Sequence, residues 1–409
     1  MKILILGGDG YLGWPAAMYF SNRGNEVAII DNFVKRQWEQ ECGVSPLFPV
    51  MSLKERIKVW YELTRRRFEF YIGDLTNFDF VRSSLRSFKP NAIIHFGEQP
   101  SAPFSMMDQH RAVLTQTNNV VGSLNVLFAM RDCTPEAHLV KLGTMGEYGI
   151  PNIDIEEGFI EINHKGRKDI LPFPKQAGSF YHLSKVHDSH NMMFACKIWN
   201  LLGTELNQGI VYGVETEESR LDERLATSFH YDAIFGTVLN RFCVEAVLEK
   251  PLTIYGQGKQ KRSFLNIVDT LQCIELAILH PPDKGEVRVF NQFTEVFSIC
   301  ELADLIVKEA TRLGFKVAVK HLCNPRVEQE EHYYNPKCIK LLDLGLKPLR
   351  LSNTLIDSLL IKIQKYKHRI KSDVLLPQVS WTHSKYQTSR RGVSQIFFSL
   401  SRVSKFLNP

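Results

Sequence analysis

The chain has 409 residues, of which 44% are hydrophobic and 23% are charged. These proportions are typical of a globular protein and exclude a disordered or fibrous one. No stretch reaches the roughly 18 uncharged apolar residues of a membrane-spanning helix, and the eight cysteines form no Cys-x-x-Cys pair. We therefore expect a cytoplasmic protein with reduced thiols, no metal site and no leader segment.

The net charge of +6 is concentrated near the carboxyl terminus, where residues 362–405 carry ten Lys or Arg residues and one acid. The basic charge therefore belongs to the tail, and the body of the chain gives no reason to expect nucleic-acid binding.

The first predicted elements are a strand, a glycine turn, a helix and a second strand. An apolar run at 2–6 leads into glycines 7, 10 and 13, and the second strand ends at Asp31. Glycines let the backbone approach a pyrophosphate at the helix N-terminus, and the acid accepts hydrogen bonds from the adenosine ribose. This pattern predicts a dinucleotide site. Asp31 favours NAD over NADP because a carboxylate repels a 2′-phosphate, and we interpret Lys35 and Arg36 as a solvated loop.

The alternation of strands and helices continues along the chain. After an insertion at 37–67, helical from Ser52 to Arg67, strands are predicted at 68–72, 92–96 and 138–142, with helices at 79–88, 112–131 and about 180–200. This predicts an α/β fold, a Rossmann-type doubly wound parallel sheet with a smaller C-terminal substrate lobe. The expected divisions are 1–205 (mainly NAD-binding), 206–365 (mainly substrate-binding, with some chain crossing back) and 366–409 (a basic tail, loosely ordered over 366–391).

Tyr181 and Lys185 are spaced to lie on one face of a helix, one turn apart. A phenol has an unperturbed pKa of about 10, and a neighbouring ammonium favours the phenolate that can remove a proton. Thr144 ends a central strand, where open α/β sheets place their chemistry. Arg262 and Arg326 follow glycine turns or lie in polar loops of the later chain, and their planar donors suit a diphosphate.

Several segments carry a family resemblance, among them GGDGYLGW (7–14), LVKLGTMGEYGIPNIDIEEG (139–158), SFYHLSKVHDSHN (179–191) and NPRVEQEEHYYN (324–335). Over about residues 1–381 the chain resembles the extended short-chain dehydrogenase/reductase superfamily, and more closely its UDP-sulfoquinovose synthases. The resemblance implies that UDP-glucose and sulfite are joined through 4-keto and 5-ene sugar intermediates, with NAD recycled in the site. It also implies a homodimer. Whether free sulfite or a protein sulfur donor is used stays open.

The resemblance assigns roles to individual residues. Tyr181 is implied to be the base at the glucose 4-hydroxyl, Thr144 to share its hydrogen bond, and Lys185 to hold the ribose and polarise the phenol. Related dehydratases carry an Asp-Glu pair where this chain has Met145 and Gly146, so proton transfer in the elimination falls to Glu147 or His182. The implied cofactor-binding residues, besides Tyr181 and Lys185, are Gly7, Gly10, Tyr11, Leu12, Asp31, Asn32, Asp74, Leu75, Phe96, Gly97 and Asn118. The implied substrate-binding residues are Thr144, Gln208, Val211, Tyr255, Gln257, Arg262, Arg326 and Glu328.

The chain departs from the resembled family at Pro100, where the plant and cyanobacterial members carry an arginine, so one contact to phosphate or sulfite is expected to be missing. Two other functions stay open: another NAD-dependent nucleotide-sugar epimerase or dehydratase, and an NAD-sensing regulator without activity. The tail at 384–409 combines basic residues with an apolar stripe from Val393 to Leu407. A weak contact with an anionic membrane surface is one interpretation of that stripe.

Overall fold

The computed structural model describes residues 1–329 and 331–381. Its centre is a seven-stranded sheet in which every neighbouring pair is parallel. The strands, given in spatial order, are β3 (Phe68–Ile72), β2 (Glu26–Asp31), β1 (Lys2–Leu6), β4 (Ala92–His95), β5 (His138–Thr144), β8 (Leu202–Gln208) and β12 (Val287–Gln292). The predicted Rossmann-type sheet is confirmed.

Helices cover both faces of this sheet. Alternate residues of β1 show why, since Ile3 and Ile5 pack into one buried cluster and Leu4 and Leu6 into another on the opposite face. The helices that precede or flank these strands are α1 (Gly13–Asn22), α2 (Val34–Glu41), α3 (Leu53–Thr64), α4 (Phe78–Phe88), α5 (Ala102–Ser105), α6 (Gln109–Gln116), α7 (Gly122–Cys133), α8 (Phe180–Trp199) and α10 (Ile267–Leu279).

A second buried cluster belongs to the later part of the chain. It is surrounded by α9 (Val238–Val247), α11 (Ile299–Arg312), α13 (Asn353–Lys365) and two small sheets. One sheet joins β9 (Ile210–Tyr212), β11 (Lys261–Asn266) and β13 (Glu295–Ser298), and the other joins β10 (Leu252–Tyr255) and β14 (Val319–Leu322); a short helix, α12 (Lys340–Asp343), precedes α13. Strand β12 returns from this region to the edge of the main sheet. The domain boundaries themselves stay predictions.

Two elements have no counterpart among those predicted from the sequence: α2, and the antiparallel hairpin of β6 (Phe159–His164) and β7 (Arg167–Pro172). The hairpin turns at Lys165 and Gly166, both at positive φ, as a tight two-residue turn requires. Its strands are mostly exposed, so they lack the buried apolar run by which the other strands were predicted.

Residues 366–381 are not the loosely ordered connector that the sequence predicts. Val374 and Leu375 are buried in the second cluster, and the Ala233 N–H donates to the Val374 carbonyl oxygen at 2.9 Å. The predicted apolar stripe of the tail and its membrane contact lie outside the described residues. Within the described ranges, none of the helices combines the length and the apolar character needed to cross a membrane.

Candidate active site

A cavity of about 990 Å³ lies at the carboxyl ends of the sheet strands. Its wall includes residues that directly follow β1, β2, β4, β5 and β8, the edge at which open α/β sheets bind ligands. The opposite wall comes from α9, β10, β11 and the segments around residues 326 and 381. The cavity therefore has a cofactor end on the sheet and a substrate end on the later part of the chain.

The glycine turn after β1 forms the cofactor end. A Cβ at Gly13 would collide with the Gly7 carbonyl oxygen, so the start of α1 approaches the turn as closely as a pyrophosphate site requires. Asp31 accepts hydrogen bonds from the N–H groups of Asp9, at 2.8 Å, and Phe33, at 2.7 Å. These residues fit an adenine dinucleotide.

The two basic residues after β2 are not a solvated loop, and that interpretation is wrong. They lie in α2, where the Lys35 ammonium donates to Glu39 at 2.6 Å and the Arg36 guanidinium donates to the Asp9 carboxylate at 2.6 and 3.0 Å. Arg56 of α3 is fully buried and donates to the same carboxylate at 2.5 Å. Arg36 and, from the insertion, Arg56 thus hold the glycine turn through the Asp9 carboxylate.

Most of the other predicted cofactor-binding residues also line the cavity: Gly10, Tyr11, Leu12, Asn32, Leu75, Phe96, Gly97 and Asn118. Asn118 belongs to a π-helical turn, Thr117–Val121, that interrupts the predicted helix between α6 and α7, a local irregularity frequent at functional sites. Asp74 lies outside the cavity lining. Its carboxylate accepts hydrogen bonds from the Asn32 amide, at 2.9 Å, and the Thr76 N–H, at 2.8 Å.

Thr144, Tyr181 and Lys185 meet where the two ends of the cavity join. The Lys185 ammonium lies 5.8 Å from the Tyr181 ring centroid and donates to the Leu142 carbonyl oxygen at 2.8 Å. Burial raises the pKa of the Tyr181 phenol above its usual range and the charge of Glu147 raises it further, whereas Lys141 and the hydrogen bond with Thr144 lower it. Sequence reasoning gave the role of neighbouring cation to Lys185; the structure adds Lys141.

Lys141 is part of a buried ion cluster beneath Tyr181 and Lys185. Its ammonium lies 3.5 Å from the carboxylates of both Glu98 and Asp188, and Lys185 forms an ion pair with the same Glu98. Burial disfavours the charged form of Lys141, but the charges of Asp188 and Glu205 outweigh it and raise its pKa. Burial lowers the pKa of Lys185 to about 8.

Glu147, one of the two predicted proton carriers, lies behind the cavity wall and does not line it. Its carboxylate accepts a hydrogen bond from the Lys175 ammonium at 2.5 Å and from the Thr144 N–H at 3.0 Å. Burial raises the pKa of Glu147 to about 7, although Lys175 opposes the shift. The carboxylate therefore acts on Tyr181 and Thr144 from beneath rather than on a ligand in the cavity.

His182, the other predicted proton carrier, does line the cavity. Its ring centroid lies 5.1 Å from that of Tyr181, and its Nδ1 lies 3.0 Å from the Ser179 hydroxyl oxygen. A Cβ at Gly146 would collide with the imidazole, so the glycine makes the space that the ring occupies. Burial lowers the pKa of His182 to about 3, helped by the positive charges of Arg326 and Arg262, which keeps the imidazole neutral.

The substrate end brings together most of the residues predicted for it: Gln208, Val211, Tyr255, Arg262, Arg326 and Glu328, with Thr144 at the junction. Arg262 forms an ion pair with Glu328. Arg241 of α9, which sequence reasoning missed, donates to the Tyr255 hydroxyl at 2.8 Å and to the Thr253 carbonyl oxygen at 2.8 Å. Gln257 lies outside the cavity lining.

Pro100 lies on the cavity wall between two buried, hydrogen-bonded neighbours. The Gln99 amide donates to the Thr115 hydroxyl at 2.9 Å, and the Ser101 hydroxyl donates to the Ile234 carbonyl oxygen at 2.5 Å. A proline has no N–H and no polar side-chain atom. This position therefore supplies no donor to an anion in the cavity.

Sequence reasoning missed Lys141, Glu98, Arg241, Arg369 and Trp381 as parts of the site or its support. A signal existed for Lys141, because a single charge within the apolar run at 138–142 must be paired when the strand is buried. For Arg369 and Trp381, which line the cavity from the last described segment, the sequence contains no local signal.

The fold and the glycine turn together are those of a dinucleotide-binding enzyme. The model of the NAD dependent epimerase/dehydratase family matches residues 3–291, so the chain belongs to this family and NAD is its cofactor. The UDP-sulfoquinovose synthase of Spinacia oleracea is 54% identical over 93% of this chain and 79% of its own length. The UDP-sulfoquinovose synthase of Sulfolobus acidocaldarius is 41% identical over 94% of this chain and 99% of its own length. Within the broader family, the chain therefore belongs to the UDP-sulfoquinovose synthases.

Solved structures agree on the fold. UDP-glucuronic acid 4-epimerase from Bacillus cereus superposes with a TM-score of 0.65 at 19% identity, covering 89% of this chain and 99% of that one. UDP-glucose 4-epimerase from Thermotoga maritima gives a TM-score of 0.64 at 17% identity, covering 89% and 99%. The spinach relative is described as chloroplastic, and a cytoplasmic location for this chain stays a prediction.

Proposed function

We propose that this enzyme converts UDP-glucose and sulfite to UDP-sulfoquinovose. The observation that carries the proposal, beside the family, is the neutral His182 over Gly146. Related dehydratases carry an acidic pair at the positions of 145 and 146, whereas here Gly146 makes room for the imidazole of His182 beside Tyr181.

The cofactor end fits NAD at residues whose positions the structure gives. Gly7, Gly10 and Gly13 leave room for the pyrophosphate, and Asp31 offers carboxylate oxygens to the ribose. When bound, NAD supplies the acceptor for a hydride from carbon 4 of the sugar and its later return.

Tyr181 removes the proton of the 4-hydroxyl as the phenolate. Burial opposes this ionisation, so the cations around the phenol must be present for it to occur. Thr144 donates to the phenolate oxygen, Lys141 stabilises its charge from the buried cluster, and Lys185 orients the ribose beside it. When carbon 4 is reduced again at the end of the cycle, Tyr181 returns the proton to the 4-oxygen.

His182 carries protons in the elimination of water and the addition of bisulfite. The 4-ketone acidifies the hydrogen at carbon 5, and the neutral imidazole takes that proton. The bond between carbon 6 and its hydroxyl breaks as His182 passes the proton to the departing oxygen, which leaves as water. The sulfur lone pair of bisulfite then forms the new bond at carbon 6 of the enone. Carbon 5 takes up the proton that bisulfite carried, so one water is released for each bisulfite consumed.

The substrate end holds the UDP group away from the reacting carbons. Arg262 and Arg326 supply guanidinium donors for the diphosphate, and Tyr255, held by Arg241, lies beside them. Gln208 and Val211 at the end of β8 and the start of β9 contact the sugar nucleotide where it crosses towards Tyr181.

The helices beside β5 support a homodimer. Apolar side chains on α6, α7 and α8 stay exposed in the single chain, including Val113 at 51%, Phe194 at 65% and Ile198 at 47%. An apolar face of this kind is typical of an association surface. Light scattering after size exclusion should give a dimer for the native chain and a monomer for Phe194→Glu, and a monomeric native chain would contradict the proposal.

A product assay tests the proposed reaction. The enzyme is incubated with NAD and UDP-glucose, with and without sulfite, and the sugar nucleotides are separated by chromatography and analysed by mass spectrometry and NMR. We expect a product one SO2 heavier than UDP-glucose only when sulfite is present. Sulfite-independent formation of UDP-galactose or a dehydrated sugar would establish the alternative epimerase or dehydratase, and absence of any turnover would favour a regulator.

A further inference from the structure

The last described segment runs along the substrate end of the cavity. After α13 the chain is anchored by the Arg369 guanidinium, which donates to the Leu47 carbonyl oxygen at 2.8 Å, and by the buried side chains of Val374 and Leu375. Arg369 itself lines the cavity. The segment is therefore fixed to one wall of the cavity before it continues to residue 381.

At residue 381 the same segment contacts the loop that carries Arg326. The Trp381 N–H donates to the Pro325 carbonyl oxygen at 2.9 Å, and the Trp381 ring lies 5.3 Å from the centre of the Arg326 guanidinium. Both Trp381 and Arg326 line the cavity. The segment thus contributes both Arg369 and Trp381 to the cavity lining.

Arg326 lies in a part of the cavity with several positive charges. Arg262 and Arg241 both contribute electrostatically to lowering its pKa, after burial, whereas Glu328 opposes the shift. A guanidinium in such a place needs a stabilising partner. The aromatic face of a tryptophan attracts the cation and uses none of its N–H donors.

This distinguishes Arg326 from Arg262. The Arg262 guanidinium is ion-paired with the Glu328 carboxylate, so some of its donors are already engaged. The contact with the Trp381 ring uses none of the Arg326 N–H donors and leaves them for an anion such as a diphosphate.

We propose that Trp381 is a positioning residue for nucleotide binding: it orients Arg326 towards the diphosphate of a uridine nucleotide and makes residues 366–381 part of the substrate site. This inference rests on the proposed function, since the anion is the diphosphate of UDP-glucose. It places a determinant of substrate affinity in a segment whose sequence indicates only a basic tail.

Titration calorimetry with UDP alone tests the proposal on the full-length protein. The variants are Trp381→Ala, Trp381→Phe and, as a matched control, Tyr61→Ala, which removes another aromatic ring stacked on an arginine (Arg67, at 5.2 Å) away from the cavity. We expect Trp381→Ala to bind UDP about tenfold more weakly, and Trp381→Phe and Tyr61→Ala to stay within about twofold of the native chain. NAD affinity, titrated in parallel, should be the same in all four proteins.

Steady-state kinetics add a second measurement. In Trp381→Ala the KM for UDP-glucose should rise about tenfold with kcat nearly unchanged, because the substitution removes binding that is equal in the ground and transition states. Unchanged UDP affinity in Trp381→Ala would overturn the inference. So would an equal loss of UDP and NAD affinity, or a failure of Trp381→Phe to restore binding, since each indicates a merely structural role. If the native chain itself does not bind UDP, the proposed function fails at that point and the inference with it.

Discussion

The cofactor end and the substrate end of the cavity are built by different means. At the cofactor end, close backbone packing at Gly7 and Gly13 creates the space, and the turn is held by a buried carboxylate, Asp9, between two arginines. At the substrate end, side chains from distant segments create the surface, with the Arg326 guanidinium over the Trp381 ring. Backbone geometry suits a ligand that stays bound through the cycle, whereas adjustable side chains suit one that must enter and leave.

Tyr181 lies where the cofactor end and the substrate end meet. Its proposed role is in the chemistry, and not only in binding one of the two ligands. We expect Tyr181→Phe to keep NAD affinity and to lose several orders of magnitude in kcat, because the phenolic oxygen is the base. Turnover assays and an NAD titration measure the two quantities on one preparation. Activity above about a tenth of the native value would show that the assignment is wrong.

The cofactor end is predicted to depend on the insertion that supplies Arg56. Replacing Arg56 by Met leaves the Asp9 carboxylate with one partner, and removing a partner of a buried ion pair costs about 3–5 kcal/mol. Denaturant unfolding measures this loss. Lys58→Met on the same helix is the matched control, because the exposed pair with Glu62 at 3.8 Å contributes at most about 1 kcal/mol.

If both variants unfold at the same denaturant concentration as the native chain, the buried pair does not hold the glycine turn. A loss of UDP affinity in Arg56→Met larger than its loss of NAD affinity would also contradict the division of the cavity into two ends.

The difference between the two ends of the cavity should also appear in the preference of the enzyme for NAD over NADP. Asp31→Ala removes the acceptor for the ribose hydroxyls and the charge that repels a 2′-phosphate, so NAD should bind about tenfold more weakly and the preference over NADP should narrow. Fluorescence titration with both cofactors measures the change, and UDP affinity serves as the control. Unchanged affinity for both cofactors would refute the role of Asp31.

A smaller effect is expected in the pH dependence of kcat. The folded-state pKa of Lys185 is lowered to about 8, so the ammonium is present below that pH and lost as the pH rises through it. Because this charge helps to hold the ribose beside the phenol, kcat should decline above about pH 8, and Lys185→Arg should move the decline to higher pH. His182, with its pKa at about 3, should add no acidic limb between pH 5 and 9. Glu147, with its pKa at about 7, also titrates in this range, so a decline centred near pH 6.5 that persists in Glu147→Gln would point to a solvated histidine instead.

These two ends also differ in how far the sequence predicts them. The sheet, the glycine turn and Asp31 follow from contiguous patterns whose spacing is set by strand and helix geometry. Tyr181 and Lys185 are predictable because one helical turn relates them. Arg56 and Arg241 have no such spacing to the residues that they hold, since only the folded chain brings them together. Trp381 is still less predictable from the sequence. The composition of its segment indicates a solvated tail, whereas the structure packs Leu375 of that segment into the core.

The buried cluster beneath the catalytic pair was partly predictable. Lys141 interrupts an apolar strand and Glu147 follows it closely, but Asp188 and Glu205 complete the cluster from α8 and β8. The sequence therefore indicates that charges are buried near β5, whereas the pairing of those charges depends on three-dimensional packing.

The central claim is that one enclosed site removes hydrogen from carbon 4 of UDP-glucose and returns it there before sulfonated product leaves. UDP-glucose carrying deuterium at carbon 4 tests this directly, with the product analysed by mass spectrometry and NMR after reaction with sulfite in ordinary water. The account predicts UDP-sulfoquinovose that retains the deuterium at carbon 4. Product in which carbon 4 carries hydrogen from the solvent would contradict it.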